Sequence, residues 1–408
     1  MPDRARPASR VGMASPAPSP FATHWDLDPE VVFLNHGSFG ACPRAVLQHQ
    51  RELRRELEAE PVRFLHRELE RRLDHARAEL AAFVGCDPDD LAFVGNATSG
   101  VNTVLRSLRL QAGDELLVTD HEYNACRNAL EFVVERSGAR IVTAALPFPL
   151  QDAQQVVDAV LGAVTERTRL LLIDHVTSPT GLVLPIERIV PRLRERGIDT
   201  LVDGAHAPGM VPLDLQALGA AYYTGNCHKW LCTPKGSALL YVRRDRQQQI
   251  RPLTISHGAN SPRTDRARFR LEFDFMGTGD PTPFLCVPTA LRFLGSLLPG
   301  GIEALQQHNR GLALGGRDAL CKALGSKPPA PAAMIGSLAS VLLPPSDEPA
   351  GEHGIDPLQA QLWERHHIEV PVMRWQRPPL RLLRISPQIY NTAAQYEWLA
   401  HRVAAVLG

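Results

Sequence analysis

The sequence has no dominant charge: Lys plus Arg and Asp plus Glu each total 44 in 408 residues. That balance leaves no global field to recruit nucleic acid or an acidic membrane surface. Paired cysteines are missing too. Cys42, Cys86, Cys126, Cys227, Cys232, Cys286 and Cys321 are scattered, odd in number and without a CxxC pair. This argues against a disulfide framework and a zinc site and for a reducing, cytoplasmic setting. No apolar run approaches the roughly 20 residues that span a bilayer. The opening "MPDRARPASRVGMASPAPSP" carries arginines and small residues but no hydrophobic h-region, so it is not a secretory signal. Residues 1–22 are expected to form a disordered leader, with Met13 an alternative start.

What remains is the composition of an ordinary soluble enzyme, 44% hydrophobic and 22% charged, in a chain long enough for a large domain and a smaller one. Two Arg-, Glu- and Leu-rich stretches, 43–59 and 66–84, are expected as helices. Apolar runs then alternate with helical patterns: "DLAFVG", "DELLVTD", "ARIVTAAL", "TRLLLIDHV", "IDTLVDGAH" and "GAAYYTGN" are the runs. They lack strict polar alternation, as strands buried on both faces do. Strand alternating with helix predicts an α/β fold with a large, mostly parallel, doubly wound sheet. The rhythm is lost after about residue 255 and resumes from about 330. The expected division is a large domain over 23–295, including the N-terminal segment, and a smaller α/β C-terminal domain over 296–408.

In such sheets ligands bind beyond the carboxyl ends of strands. Five polar stretches fall there: "GNATSG", "DHEYNA", "DHVTSPTG", "DGAH" and "GNCHK". Asp203 ends a buried run, where a carboxylate needs a cationic or hydrogen-bonding partner. Asn96, Thr98 and Ser99 open a helix whose free amides can hold a phosphate. Lys229 supplies an amine for Schiff-base chemistry, more so if burial lowers its pKa. A phosphate site, a carboxylate and a lysine are the parts that hold pyridoxal 5′-phosphate.

The order "GNATSG … DHEYNA … HVTSPTG … DGAHAPG … YYTGNCHKW … GTGDP … RIS" resembles class V aminotransferase-fold pyridoxal phosphate enzymes. Within them it is most similar to the isopenicillin N epimerase-like branch, related to cysteine desulfurases, kynureninases and C–S lyases. The resemblance runs from about residue 31 to the C-terminus. It implies pyridoxal phosphate fold type I and a homodimer with sites at the interface. It makes Lys229 the Schiff-base lysine and Asp203 the partner of the pyridine nitrogen, with His206 near the phenolic oxygen. Thr98 and the Ala97 amide fall in the phosphate turn, with His228 and Asn226 as further contacts. Tyr123 falls where relatives stack a residue on the ring. Thr278 matches a threonine that reaches the partner subunit's phosphate, and Arg384 matches the clamp for the substrate carboxylate, a task that suits a planar guanidinium. Asn35 and His36 are expected at the substrate entrance.

Singly, each residue has a plainer role. Asp203 and Thr98 make good helix caps, Tyr123 a core or rim aromatic, His206 and His228 hydrogen-bonded interior histidines. Arg384 suits a structural ion pair and Asn35 a turn. "HEY" at 121–123 is not HExxH and "RHH" at 365–367 suits a helix end, so no metal site is expected.

The resemblance implies action at the α-carbon of an L-amino acid, as a C–S lyase on a cysteine-derived substrate or as an epimerase; an aminotransferase or a desulfurase-like enzyme is the alternative. Desulfurases attack sulfur with a loop cysteine, and "EVPVMRWQRPPLRLLRIS" has none; Ser178 stands where they usually carry Asn. A catalytically silent, cofactor-binding sensor would lack the lysine or carry a DNA-binding domain, and neither applies.

Overall fold

The computed structural model describes residues 15–375 and 380–408. Of the expected leader, residues 1–14 lie outside the described residues. Pro20–His24 form a 3-10 turn, and the Ser19 amide bonds the Tyr390 carbonyl at 3.0 Å.

Seven strands build the main sheet: β1 Leu91–Val94, β2 Glu115–Thr119, β3 Arg140–Ala144, β4 Thr168–Asp174, β5 Asp199–Asp203, β6 Tyr222–Asn226 and β7 Ala238–Val242. Their spatial order is β1-β7-β6-β5-β4-β2-β3. The expected runs supply β1 to β6, all pointing the same way; β7 alone is antiparallel, to β6 on one side and β1 on the other. The sequence reading missed β7. The connection 227–237 is too short for a crossover helix, so the chain can only return antiparallel.

Every residue of β1, β2, β6 and β7 is buried, and only the edge strand β3 is half open. Burial on both faces is why these runs show no alternation. Each buried Leu, Val or Ile among them contributes about 1.5–3 kcal/mol.

The helices α1 Arg44–Ala59 and α2 Leu69–Val84 match expectation, joined by a π-helical turn at Arg63–Glu68. Next come α3 Ala97–Ser107, after β1, and α4 Asn124–Ser137, after β2. Asn96 caps α3 by accepting the Ser99 amide at 2.8 Å. Gly138 ends α4 in the left-handed conformation, which glycine tolerates without a Cβ penalty.

The C-terminal part holds α5 Gly301–Ala323, β8 Ala339–Leu343, β9 Val372–Trp375, β10 Leu380–Ile385 and α6 Ala393–Leu407. Its sheet is antiparallel in the order β9-β10-β8. The N-terminal segment is stitched to this part: Val32 and Phe33 pair with Ile368 and Glu369, and the Ser386 amide bonds the Leu34 carbonyl at 3.0 Å. One apolar core is continuous across residue 296, running from Leu294 to Leu305 and Leu399. Among the described residues no single helix is long and apolar enough to cross a membrane.

Candidate active site

Because β1, β2, β4, β5 and β6 run the same way, their carboxyl ends open onto one edge. Lys229 follows β6 in a tight turn. A Cβ on Gly40 (φ +70°) would lie 2.0 Å from the His228 carbonyl and 2.9 Å from Lys229 Cα, so only glycine lets the N-terminal segment close over this turn. His36 is fully buried: its Nδ1 pairs with the Tyr390 hydroxyl at 2.7 Å and its Nε2 with the Lys229 carbonyl at 3.0 Å. The expectation of His36 at the entrance is therefore corrected. It buttresses the lysine turn, and burial holds its pKa down at about 3.

Lys229 Nζ lies 3.0 Å from His206 Nε2. Loss of water and then the nearby Arg384 charge lower the amine pKa to about 7, against the attraction of Asp203 and Asp174. Asp203, at the end of β5, accepts the Ala205 amide at 2.9 Å and the Cys126 thiol at 3.1 Å. Burial raises its pKa. Asp174, at the end of β4, is raised for the same reason and by the Glu122 and Asp203 charges. Burial drives His206 well below its ordinary value, so the imidazole is neutral.

At the start of α3, the Ala97 amide donates to Asn226 Oδ1 at 2.8 Å. This corrects the expectation of a free Ala97 amide: Asn226 spends its oxygen tying β6 to α3. The Thr98 amide and hydroxyl have no partner among the described residues. α3 lies close on β6 because a Cβ on Gly100 would meet Thr224 Oγ1 at 2.2 Å. His228 donates from Nδ1 to the Ser237 carbonyl at 3.0 Å, leaving Nε2 unengaged, and burial lowers its pKa to about 4.

Arg384, near the end of β10, is buried. Its Nη1 donates to the Ser178 carbonyl at 2.6 Å and the Ser178 hydroxyl at 3.2 Å, and Nη2 to Ser38 Oγ at 3.1 Å. Its Nε has no partner. Among the described residues no carboxylate pairs with it, which disfavours the plain ion-pair reading. Asn35 is one bond further out, accepting from Ser38 Oγ at 2.7 Å and donating to Glu369 at 3.1 Å. Tyr123 is 46% exposed and precedes α4 at the same edge. Thr278 is exposed on the loop after Phe275 and is not brought to Lys229; it lines a separate cavity with His257 and Arg263.

Sequence reasoning missed Glu122, Cys126, Asp174, Ser38 and the placement of Ser178 on Arg384. Glu122 stood in the quoted "DHEYNA" but gives no local sign of pointing inward. Cys227 and Cys232 are buried, and burial raises all seven thiols, Cys227 to about 12.

The aminotransferase class-V family model matches residues 32–399. An isopenicillin N epimerase of Amycolatopsis lactamdurans is 40% identical over 389 residues, covering 92% of this chain and 94% of that protein. A probable chloroplastic L-cysteine desulfhydrase of Arabidopsis thaliana is 31% identical, covering 93% and 83%. Among solved structures, the cystine C–S lyase C-DES with cysteine persulfide superposes with a TM-score of 0.76 at 23% identity, covering 92% of this chain and 97% of that one. A cysteine desulfurase from Thermococcus onnurineus NA1 superposes with 0.79 at 16%, covering 97% and 99%. The sheet order, the lysine turn and these matches agree: the chain belongs to the class-V aminotransferase family, whose fold is pyridoxal phosphate fold type I, and is a pyridoxal-phosphate-dependent enzyme.

Proposed function

We propose that this enzyme removes the α-proton of an L-amino acid and completes either β-elimination of a cysteine-derived substrate or epimerisation. One observation carries the reading: the Lys229 amine is held near neutrality, pKa about 7, among His206, Asp203 and Arg384. A neutral amine there is both a nucleophile and a base.

The residues fit the cofactor. Asp203, Asp174 and Glu122 form a buried acidic group in which Lys229 acts on the two aspartates and Arg127 on Glu122, so three carboxyls share two cations and a protonated pyridine nitrogen adds positive charge where it is short. Thr98, with its amide and hydroxyl unengaged at the α3 N-terminus, and His228 Nε2 suit the phosphate. Lys229 would hold the aldehyde carbon, His206 would face the phenolic oxygen, and Tyr123 would cover the ring. When bound, pyridoxal phosphate supplies the electron sink for charge left at the substrate α-carbon.

The chain's own residues do the rest. Arg384, held flat by Ser178 and Ser38, takes the substrate carboxylate through its remaining donors. Lys229, once free, accepts the α-proton, and the neutral His206 ring keeps a hydrogen bond on that amine. Elimination needs nothing more than a leaving group. The relatives named L-cysteine desulfhydrase support that outcome, while the 40% identity to an isopenicillin N epimerase supports epimerisation, for which Tyr123 is the candidate second proton carrier. A desulfurase-like path is disfavoured because every thiol is pushed up rather than activated.

A homodimer in the cytoplasm is part of the same reading. Thr278, exposed and away from Lys229, and the exposed Val62 and Ile255 suit a partner subunit's surface.

Proton NMR in heavy water decides the reaction. Holoenzyme is incubated with L-cystine, cysteine conjugates, cysteine sulfoxides and longer L-amino acids. Pyruvate with loss of β-carbon signals establishes the lyase. α-Deuterium in an intact substrate, with D-isomer on chiral derivatisation, establishes the epimerase. Neither signal with any substrate overturns α-proton chemistry.

A further inference from the structure

Glu122 is unexplained by the site as drawn. It is 8% exposed, and neither carboxyl oxygen has a hydrogen-bond partner. Its carboxyl oxygen, Cys126 Sγ and an Asp203 oxygen lie within 4.8 Å of one another. An unpaired buried carboxylate is too costly to persist, so such a group either keeps its proton or meets a cation. No ion pair holds it among the described residues; its near donors are the Tyr123 amide and the Cys126 thiol, while the neighbouring Asp203 is engaged by Cys126 and the Ala205 amide.

We propose that Glu122 is a second carboxyl group at the pyridine-nitrogen end of the site, acting with Asp203 to set the pH range over which the ring nitrogen stays protonated. This rests on the cofactor reading above. Glu122 is a positioning residue, working through Asp203 and the charge it shares with it.

The groups that face it are Asp203, Asp174, Cys126 and Arg127, with Lys229 acting on the two aspartates. Burial first, and the Asp203 charge second, raise its pKa well above the ordinary value. Glu122 therefore holds its proton more firmly than an ordinary carboxyl, and Asp203, which accepts the Ala205 amide and the Cys126 thiol, is the better candidate for the charge. As pH rises Glu122 ionises in its turn, and the added negative charge opposes loss of the proton from the ring nitrogen. The pair spreads over two groups what one aspartate does alone.

The test is an absorbance titration of the bound cofactor across about pH 6–10, with the cofactor dissociation constant measured by fluorescence at each end. In Glu122→Gln, which keeps the shape and cannot ionise, the alkaline spectral transition is expected to move down by about one pH unit. Cofactor affinity should fall several-fold at the alkaline end and change little near neutrality. Glu122→Asp should restore part of the shift. If both variants bind cofactor and titrate like the parent, the proposal is overturned. If Glu122→Gln weakens binding equally at every pH with the transition unmoved, Glu122 only packs, and the proposal is overturned as well. Should the parent protein itself take up no pyridoxal phosphate, the cofactor reading fails first and separately.

Discussion

Trp230 Nε1 points at His206 Nδ1 at 3.4 Å while His206 Nε2 faces Lys229 Nζ at 3.0 Å. An indole N–H only donates, so Nδ1 is the acceptor and the ring proton sits on Nε2. Nε2 then donates to the lysine, which must offer a lone pair. The tautomer and the lowered lysine pKa describe the same state: a neutral amine held ready by a neutral imidazole.

Replacing that amine removes the chemistry. Lys229→Ala is expected to lose at least about 10³-fold in turnover of any substrate that the parent processes. Borohydride treatment followed by mass spectrometry should find no cofactor attached to the variant, whereas the parent carries it on Lys229. Unchanged turnover would show that the covalent reading is wrong.

The pKa of about 7 sets a pH dependence for cofactor uptake by the cofactor-free protein. Below that value the amine is protonated and cannot attack; above it the neutral form dominates. The uptake rate by stopped-flow absorbance should rise about tenfold per pH unit on the acid side and level off above about 7. A rate still climbing towards the ordinary lysine value of 10.5 would mean that the amine is solvated.

Arg384 should control binding of the substrate carboxylate. Arg384→Lys keeps charge but loses the planar fork and is expected to lower kcat/KM by about 10²-fold. Ser178→Ala removes one of the bonds holding the guanidinium flat, worth about 1 kcal/mol, and should raise KM about fivefold with kcat nearly intact. Equal losses in both variants would argue for a fold effect.

Two glycines on helices should behave oppositely. At Gly100 a methyl group meets Thr224 Oγ1 at 2.2 Å and Thr224 Cβ at 2.7 Å, and Gly100→Ala is expected to cost about 1–3 kcal/mol. Gly311 in α5 has nothing within 4 Å of such a methyl. Gly311→Ala should be neutral or stabilise by up to about 1 kcal/mol. Denaturant midpoints of the two variants check this pair.

Much was legible in the chain itself. Apolar runs without alternation are dictated by burial on both faces, so β1 to β6 and their order along the sequence could be read directly. The motifs at their ends singled out Lys229, Asp203 and Thr98 as candidates by residue type and place, whereas Arg384, in β10, was a candidate through the family resemblance alone. Only the tertiary structure decided the rest. A side chain's direction depends on which element packs over it, so His36 turned inward to hold the Lys229 carbonyl, and Asn226 was claimed by the Ala97 amide. Glu122, Asp174 and Asp203 lie far apart in sequence, and only strand order brings their carboxyls close enough to compete for protons. Local sequence encodes propensity and chemistry, whereas burial and charge coupling arise between segments that the fold alone makes neighbours.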